Sequence, residues 1–414
     1  MRGFVQAWGV FLGIFLIAGA GAEAQEIDAK KLLSQPKAYV GSDVCKTCHL
    51  EHYDAWKRTL HSKMLQDVRE NADILVTDIN PETIRADLAK LGDKLKVPAD
   101  EVYIPSMDEI HYAIGSTWKQ RFLIQKDGTY FISPIQFNVD TGRWVNYHEH
   151  DWQDRPWMLK CGGCHATGVD LDANTFVEPG VGCEACHGPG SHHAALPASE
   201  TFEKRATIVN PSKLTPGVAV QICGSCHNRG KATMKEGSGW AVGYTPGKAL
   251  EVFYASIEAG SKYLYSNEFS KDHHQQYIDW QKSAHAKAGV DCLDCHVVHE
   301  LGNPAFRGKT LAKGDQLCLT CHAQTQQIGA HSVHSFGNCS SCHMPKIAKS
   351  AESGDIHSHV FVAIEPKVTK ELQIPNSCQL CHRHAEEDID DLQRRWDELT
   401  ARRVSNGNVV KAND

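Results

Sequence analysis

The sequence predicts a mainly α-helical fold with much irregular structure and one small antiparallel β element. Two observations support this prediction. A pattern of two cysteines and one histidine recurs along most of the chain, often beside segments of helical periodicity. Residues 119–147 instead show apolar runs separated by two glycine turns, at Asp127-Gly128 and Asp140-Thr141-Gly142. Period and turn chemistry of these kinds distinguish helices from hairpins.

The recurring pattern is Cys-x-x-Cys-His, which occurs eight times in the 414 residues and uses all 16 cysteines. The copies, numbered one to eight in chain order, are Cys45/Cys48/His49, Cys161/Cys164/His165, Cys183/Cys186/His187, Cys223/Cys226/His227, Cys292/Cys295/His296, Cys318/Cys321/His322, Cys339/Cys342/His343 and Cys378/Cys381/His382. This is the attachment signature of c-type haem, in which the thiols bond the haem and the histidine becomes the proximal iron ligand. Disulfide frameworks and zinc ribbons do not require a histidine after every second cysteine. The sequence therefore predicts eight covalent haem c groups.

Eight haems change what the length of the chain implies. If residues 1–24 are removed, about 390 residues remain, or roughly 49 per haem. A chain with 22% charged residues can still bury enough apolar surface if the porphyrins supply much of the core. We therefore expect a multihaem cytochrome c fold built around a packed haem array.

The N-terminus has the pattern of a secretory signal peptide over residues 1–24. Arg2 supplies the positive charge, Trp8 to Ala18 form the apolar run, and Ala22-Glu23-Ala24 is a small-x-small cleavage site before Gln25. Export agrees with the chemistry, because c-type attachment is completed outside the cytoplasm. The expected location is periplasmic or extracellular.

The mature region, 25–414, is expected to have three parts: a haem-free lobe with the small sheet over 66–160, a haem-dense part over 161–384, and a C-terminal helix and tail over 385–414. Helices are predicted at Glu82–Leu95, with Pro81 in the first turn, and at Gly247–Gly260, Ser270–Ala288 and Glu386–Arg403. Asp43 is expected to cap a helix carrying motif one. The segment Tyr53-x-x-Trp56, with His61 five residues on, is repeated as Tyr277-x-x-Trp280 and His285.

Sixteen histidines lie outside the motifs and are candidates for the second axial position of each iron. They are His52, His61, His111, His148, His150, His192, His193, His273, His274, His285, His299, His331, His334, His357, His359 and His384. If every iron carries two histidines, the protein moves electrons. If one iron lacks its second ligand, a small molecule such as nitrite or hydroxylamine can bind there. The sequence alone does not decide between these outcomes, and no catalytic residue is assigned.

Several segments resemble the cytochrome c554-type multihaem cytochromes. Cys45 to His61 has the form CxxCHxxxYxxWxxxxH, and similar signatures occur at Cys161–Gly168, Gly182–His193, His273–Tyr277, Cys339–Pro345 and Pro375–Cys378. The resemblance implies distal-ligand roles for His61, His193, His285, His299 and His359, and further roles for His274 and His334. His111 and His150 complete the candidate set without a matching pattern, and His384 also fits none, so the eighth ligand stays open.

The leading functional prediction is an electron-transfer protein of anaerobic respiration, with mostly bis-histidine haems between redox partners. Its expected partners are a membrane quinol-oxidising complex, other cytochromes or a terminal reductase. The net charge of −7 argues against nucleic acid and favours partners with a basic docking patch. An electron carrier is favoured over two alternatives: an octahaem reductase or oxidoreductase of small nitrogen or sulfur oxyanions at one open haem, and a self-associating subunit of an extracellular cytochrome filament.

Overall fold

The computed structural model describes residues 29–299, 310–323, 334, 337–350 and 353–405. The predicted signal peptide and the end of the C-terminal tail lie outside these residues. Contacts divide the chain into two units, Met1–Pro36 and Lys37–Asp414. The described part of the first unit contains one short helix. In the described part of the chain, no helix is long and apolar enough to cross a membrane.

Short helices dominate the chain. The α-helices are α1 (Ala29–Leu33), α2 (Ser42–Lys46), α3 (Leu50–Lys57), α4 (Pro81–Ala89), α5 (Gly163–His165), α6 (Cys183–His187), α7 (Ser191–Ala195), α8 (Thr201–Ala206), α9 (Pro216–Gly224), α10 (Gln276–Gln281), α11 (Ala284–Lys287), α12 (Asp315–Leu319), α13 (Cys339–His343), α14 (Pro366–Leu372) and α15 (Ile389–Ser405). Single 3₁₀ turns lie at Ala72–Ile74, Gly92–Lys94, Met107–Glu109, Trp152–Asp154, Pro211–Lys213, Leu250–Val252 and Cys292–Asp294, and a π turn lies at Met158–Gly162. This mainly helical, irregular architecture confirms the predicted fold class.

The β element is an antiparallel sheet of five strands in sequence order. Its strands are β1 (Leu65–Asp67), β2 (Ile110–Ile114), β3 (Lys119–Lys126), β4 (Thr129–Asn138) and β5 (Arg143–Asn146). Three of them follow the predicted pattern over 119–147. Asp127 and Gly128, both at positive φ, make the two-residue turn between β3 and β4. The first two strands were not predicted from the sequence.

Three smaller antiparallel sheets have two strands each. They pair β6 (Ala166–Thr167) with β7 (Glu178–Pro179), β8 (Gly230–Ala232) with β9 (Tyr254–Ser256), and β10 (Ala348–Ser350) with β11 (Ser353–Ile356). The first of these hairpins follows motif two and leads directly to motif three. It therefore fixes the chain path between the two motifs.

The large sheet is buried on both faces. Phe122 and Ile124 of β3 pack on Ile84 and Leu88 of α4, and all four side chains are fully buried. Leu123, on the opposite face, belongs to a second cluster that includes residues of the segment entering motif two. Since side chains alternate along a strand, β3 contacts both layers. The sheet thus supports motif two from behind.

Four local predictions required correction. The helix beginning at Pro81 ends at Ala89, because Gly92 at φ 53° leaves the helical region and a 3₁₀ turn follows. Residues 247–260 are not a helix, because Tyr254–Ser256 pairs with Gly230–Ala232 as a strand. The helix over 270–288 is divided into α10 and α11, where the Ser283 side chain caps the second helix.

The fourth correction concerns Asp43, which lies in the first turn of α2 and is not its N-cap. Its carboxylate accepts a hydrogen bond from the Tyr53 hydroxyl at 2.7 Å. At the other end of the chain, the charged helix expected at 386–403 is found as α15, starting three residues later.

Candidate haem sites

The motifs fold as single tight turns that bring the cysteines and the histidine to one side. In motif one, the His49 N–H donates to the Cys45 carbonyl at 2.9 Å, and in motif four His227 donates to Cys223 at 2.8 Å. Residues separated by three and four positions share one face of a helical turn. This geometry allows two thioether bonds and one axial nitrogen to reach a planar macrocycle from the same side.

Five motif histidines each face a histidine from a distant segment. The pairs and their ring-centroid separations are His49 with His193 (6.2 Å), His187 with His299 (6.1 Å), His227 with His61 (6.2 Å), His296 with His359 (6.2 Å) and His322 with His285 (6.0 Å). Metal–imidazole bonds of about 2 Å put the centroids of two axial imidazoles about 6 Å apart on opposite sides of one ion. The five separations therefore fit one iron between each pair.

The remaining distal candidates have other surroundings. The His334 ring lies 6.2 Å from His384 and not beside the motif residue His382. His274 lies 4.7 Å from His273, His111 lies 5.7 Å from Tyr130, and His150 lies 6.4 Å from His148. Among the described residues, His274, His111 and His150 form no ring pair with a motif histidine. Another histidine outside the motifs, His331, lies outside the described residues.

Burial keeps several of these imidazoles neutral. Desolvation, followed by the nearby His227 and His296, lowers the pKa of His61 to about 4. The pKa of His359 is also lowered to about 4, first by burial and then by His296. Neutral imidazole is the form that binds a metal. These side chains are therefore ready to act as ligands without losing a proton at neutral pH.

Thiols of different motifs touch and so reveal which motifs are neighbours. The Cys45 thiol contacts Cys183, joining motifs one and three. The other contacts are Cys164 with Cys226 (motifs two and four), Cys223 with Cys292 (motifs four and five) and Cys318 with Cys339 (motifs six and seven). All 16 cysteines are free thiols in this structure.

Two of the predicted attachment cysteines, Cys48 and Cys321, are less buried than a packed haem array led us to expect. Both are the second cysteine of their motif, one and six, and both are exposed, whereas the other 14 cysteines are half-buried. In each of these motifs the first cysteine faces a neighbouring motif, so the second, three residues further round the turn, faces solvent. The two thiols accept long hydrogen bonds from the preceding threonine hydroxyls, Thr47 at 3.8 Å and Thr320 at 3.9 Å. The expected burial is therefore wrong at these two positions, and their attachment to haem stays a prediction.

The remaining links are close approaches. Cys186 of motif three lies near Cys223 of motif four, and Cys295 of motif five lies near Cys318 of motif six. The Ser377 hydroxyl, just before motif eight, donates to the Cys342 carbonyl of motif seven at 2.8 Å. The motifs thus follow the spatial order one, three, four, five, six, seven and eight, with motif two joined to motif four as a branch.

Motif two has a cationic environment. Burial, then Arg121 and Lys119, lowers the pKa of His165 to about 4. Within the described residues, His165 pairs with no other ring. The Arg121 guanidinium lies 3.8 Å from the centre of the Tyr147 ring, and its Nε donates to Gln136 at 2.9 Å. These contacts hold a positive charge near the motif.

A cleft beside motif two adds further basic groups. It is lined in part by Tyr147, His148, Arg155, Lys160 and Cys161. Sequence analysis did not identify the basic residues on either side of this motif. One available signal was the alternation of Lys119 and Arg121 on a strand whose other residues are mostly apolar.

Buried donors also fit a bound haem. Among the described residues, Trp157 Nε1, Arg229 Nε, Tyr244 Oη and both nitrogens of His192 are buried without a hydrogen-bond partner. A haem carries two propionates that accept hydrogen bonds, and buried polar groups in native proteins rarely lack partners. Trp157 packs in the same cluster as Cys161. Orphaned donors at such positions suit a propionate-bearing group.

Comparisons with known proteins agree with this geometry. A family model described as "Cytochrome c554 and c-prime" matches residues 44–90 and 145–188, and a "Doubled CXXCH motif" model matches residues 284–327. The solved structure titled "Crystal Structure of Outer Cell Wall Cytochrome OcwA" superposes with a TM-score of 0.69 at 23% identity, covering 87% of this chain and 86% of that chain. The two proteins therefore share a fold.

Curated relatives match at low identity. Cytochrome c-552 of Aliarcobacter butzleri (strain RM4018) is 25% identical over 181 residues, covering 37% of this chain and 34% of that protein. Dissimilatory sulfite reductase MccA of Wolinella succinogenes is 22% identical over 386 residues, covering 76% of this chain and 51% of that protein. The chain thus spans between about a third and about half of the length of these relatives.

Proposed function

Because the chain is a multihaem c-type cytochrome, we propose that it is an exported electron-transfer protein that binds eight haems in one continuous array. Bound haem supplies one-electron iron chemistry. The chain's own residues fix the attachment points, supply the axial ligands and set the surrounding charge. Residues 25–414 form the mature protein in this proposal, with the haem-dense part at 161–384.

The spatial order of the motifs carries this proposal. Each of the seven motifs in the main series contacts or closely approaches the next through cysteines or flanking residues, so no motif stands apart. A chain that only stored electrons or bound one substrate would not need this continuity. Motifs one and eight are the two ends of the series, and motif two is a third end.

The histidine pairs supply the second support. We assign His193, His299, His61, His359 and His285 as the distal ligands of motifs one, three, four, five and six. Each faces its motif histidine at 6.0–6.2 Å. An iron held by two histidines has no position for a substrate, so these five sites suit electron transfer and not catalysis.

The expected partners follow from location and charge. The pattern of residues 1–24 favours secretion, and the acidic net charge of −7 favours redox proteins that present a basic docking surface. A quinol-oxidising membrane complex, another cytochrome or a terminal reductase is the expected donor or acceptor. Association with such a partner should weaken as salt is raised.

Intact mass and spectroscopy of the purified holoprotein test the proposal. We expect a mass equal to residues 25–414 plus eight haems, and low-spin electron paramagnetic resonance signals for most of the irons. Reduced protein mixed with an oxidised acceptor cytochrome should lose electrons from all haems in a single, salt-sensitive process. A population of haems that cannot be oxidised by the acceptor would contradict a continuous array.

A second function is favoured by one observation, the surroundings of motif two. His165 has no ring partner among the described residues, and Lys119 and Arg121 lie close enough to lower its pKa. An iron there with an open position, next to fixed positive charge, would suit reduction of a small nitrogen or sulfur oxyanion. Carbon monoxide binding by about one haem in eight, together with nitrite or sulfite turnover, would support this function, and entirely low-spin haems without a carbon monoxide adduct would exclude it.

A further inference from the structure

Motif three contains a buried carboxylate that none of the proposed roles uses. Glu184 stands between Cys183 and Cys186 and is 1% exposed. Its position is unusual, because carboxylates are rarely buried unless they are paired with a cation or well hydrogen-bonded. Among the described residues, Glu184 forms no ion pair.

Backbone N–H groups hold this carboxylate. The Gly190 N–H donates to Oε1 at 2.7 Å and the Gly41 N–H donates to Oε2 at 2.8 Å, while the Val40 N–H lies 3.0 Å from both oxygens. Two of these donors immediately precede motif one and the third follows motif three. Glu184 therefore connects the two motifs whose thiols touch.

A second carboxylate completes the arrangement. Glu178 accepts hydrogen bonds from the Ser42 N–H at 3.1 Å and the Ser42 hydroxyl at 2.7 Å. The same hydroxyl accepts a hydrogen bond from the Cys183 N–H at 3.0 Å. Glu178 is thus linked through one serine to the chain before motif one and to the first cysteine of motif three.

Two glycines leave space for the carboxylates. A Cβ at position 182 would lie 1.6 Å from Glu178 Oε1, and a Cβ at position 190 would lie 3.1 Å from Glu184 Oε1. The negative charge also reaches other groups, since burial and then Glu184 raise the pKa of Tyr39. The local sequence is therefore built to accommodate two acidic groups without a cation.

We propose that Glu184 and Glu178 form a buried anionic clamp that positions the haems of motifs one and three and lowers their reduction potentials relative to the rest of the array. A negative charge stabilises the more positive, oxidised iron, and burial limits the screening of that charge. The motif-one end is then the low-potential end, at which electrons enter. This inference rests on the proposed electron-transfer function and gives it a direction.

Equilibrium redox titration of the holoprotein tests the clamp. Glu184→Gln keeps the shape of the side chain and removes the charge. We expect two of the eight haem components to become easier to reduce, by about tenfold in equilibrium constant for the nearer one, for a unit charge roughly 10 Å away at an effective dielectric constant of about 20. For one electron this is about 59 mV.

Glu51→Gln is the matched control, because Glu51 lies two residues after His49 but is exposed to solvent. Its titration should match that of the parent within about twofold, since water screens the charge. Equal shifts in both variants, or no shift in Glu184→Gln, would overturn the proposal. So would a shift that makes the haems harder to reduce.

A folding defect can be separated from an effect on potential. If Glu184→Gln loses haem, Glu178→Gln removes the other charge while leaving the backbone contacts of Glu184 intact, and it should shift the same two components in the same direction. Loss of haem in both variants would restrict the pair to a structural role and overturn the claim on potential. Electron exchange with an acceptor is measured on the unaltered protein, so its failure is a separate result.

Discussion

The imidazole rings of His61 and His227 lie 6.2 Å apart, although 166 positions separate the two residues in the sequence. The His61 carbonyl accepts a hydrogen bond from the Val181 N–H at 3.0 Å, and the Trp56 indole donates to the Val181 carbonyl at 2.8 Å. His61 is thus fixed beside motif three by its backbone while its ring faces motif four. Motif four is also the point at which motif two joins the series, so this contact supports the junction of the array.

Replacing His61 should open one iron. We expect His61→Ala to convert about one haem in eight from low spin to high spin and to create one carbon monoxide binding site, because the iron at motif four loses an axial nitrogen. Electron paramagnetic resonance of the oxidised protein and carbon monoxide difference spectra of the reduced protein measure this change. The control is His150→Ala, whose ring lies beside Lys96 and His148 and should leave both spectra unaltered. An unchanged spectrum for His61→Ala would refute the assignment of this ligand.

Gly163, inside motif two, should not tolerate a side chain. A Cβ at this position would lie 2.1 Å from Cε3 of Trp240, whose indole N–H donates to the Met158 carbonyl at 2.9 Å. Gly163→Ala must displace a buried ring, and overpacking of this kind costs about 1–3 kcal/mol. We expect a lower melting temperature and incomplete haem attachment at motif two, measured by intact and peptide mass spectrometry.

The neighbouring glycine provides the control for this prediction. A Cβ at Gly162 would meet Val169 and Met158 at 3.5–3.6 Å, which is ordinary contact. Gly162→Ala should therefore attach all its haem and melt close to the parent. Similar behaviour of the two alanine variants would mean that Trp240 does not limit this turn.

The ion pair of Glu109 and Lys126 should make stability depend on pH in the acid range. Lys126, the Tyr103 hydroxyl at 2.5 Å and the Ser106 N–H at 2.9 Å lower the pKa of Glu109 to about 2. A glutamate in an unfolded chain has a pKa of about 4.3, so the stabilisation is fully present above that pH and is lost as the pH falls towards 2. Both side chains are partly exposed, which limits the expected contribution to about 1 kcal/mol.

Glu109→Gln should therefore lower the melting temperature by roughly 2 °C at pH 7. The difference from the parent should shrink as the pH falls below 4 and the parent carboxylate takes up its proton. Thermal unfolding followed by circular dichroism between pH 2.5 and 7 measures both. Glu101→Gln removes an exposed carboxylate near the same sheet and should change neither value. A constant difference across the pH range would contradict the assigned role of the charge.

The sequence predicted features that depend on local pattern. The hairpins over 119–147 follow from glycine turns and alternating apolar residues, and the first turn of α4 follows from Asn80 and Pro81. The repeated Tyr-x-x-Trp segment was also informative, because His61 and His285 each come to face a motif histidine. In both repeats the tryptophan indole donates to a backbone carbonyl, at 2.8 Å and 2.9 Å.

Features that depend on distant contacts were not predictable in the same way. Tyr254–Ser256 becomes a strand only because Gly230–Ala232 lies beside it. The order of the motifs in space cannot be read from their order in the chain, since Cys45 meets Cys183 and not the cysteines of motif two. The partner of His334 also differs from the expected motif residue, because the turn after Cys381 directs His384 towards it.

The exposure of Cys48 and Cys321 is a further feature of this kind. All eight motifs have the same local pattern, so the sequence predicts the same surroundings for every second cysteine. What differs is the neighbour of the first cysteine, because the contacts of Cys45 with Cys183 and of Cys318 with Cys339 leave the other side of each turn open to solvent. These neighbours come from other segments of the chain and leave no mark on the motif itself.

Arg121 should control anion binding if motif two holds an open iron. Its guanidinium is held over the Tyr147 ring and lowers the pKa of both His165 and His273, so its charge acts on the space beside the motif. Hydrogen bonds to a charged group contribute about 1.5–3 kcal/mol, so Arg121→Gln should weaken nitrite binding at least about tenfold. Titration of the high-spin resonance signal with nitrite measures this affinity. Arg205→Gln removes an exposed arginine elsewhere and should bind nitrite like the parent; equal affinity in the Arg121 variant would remove this residue from the site.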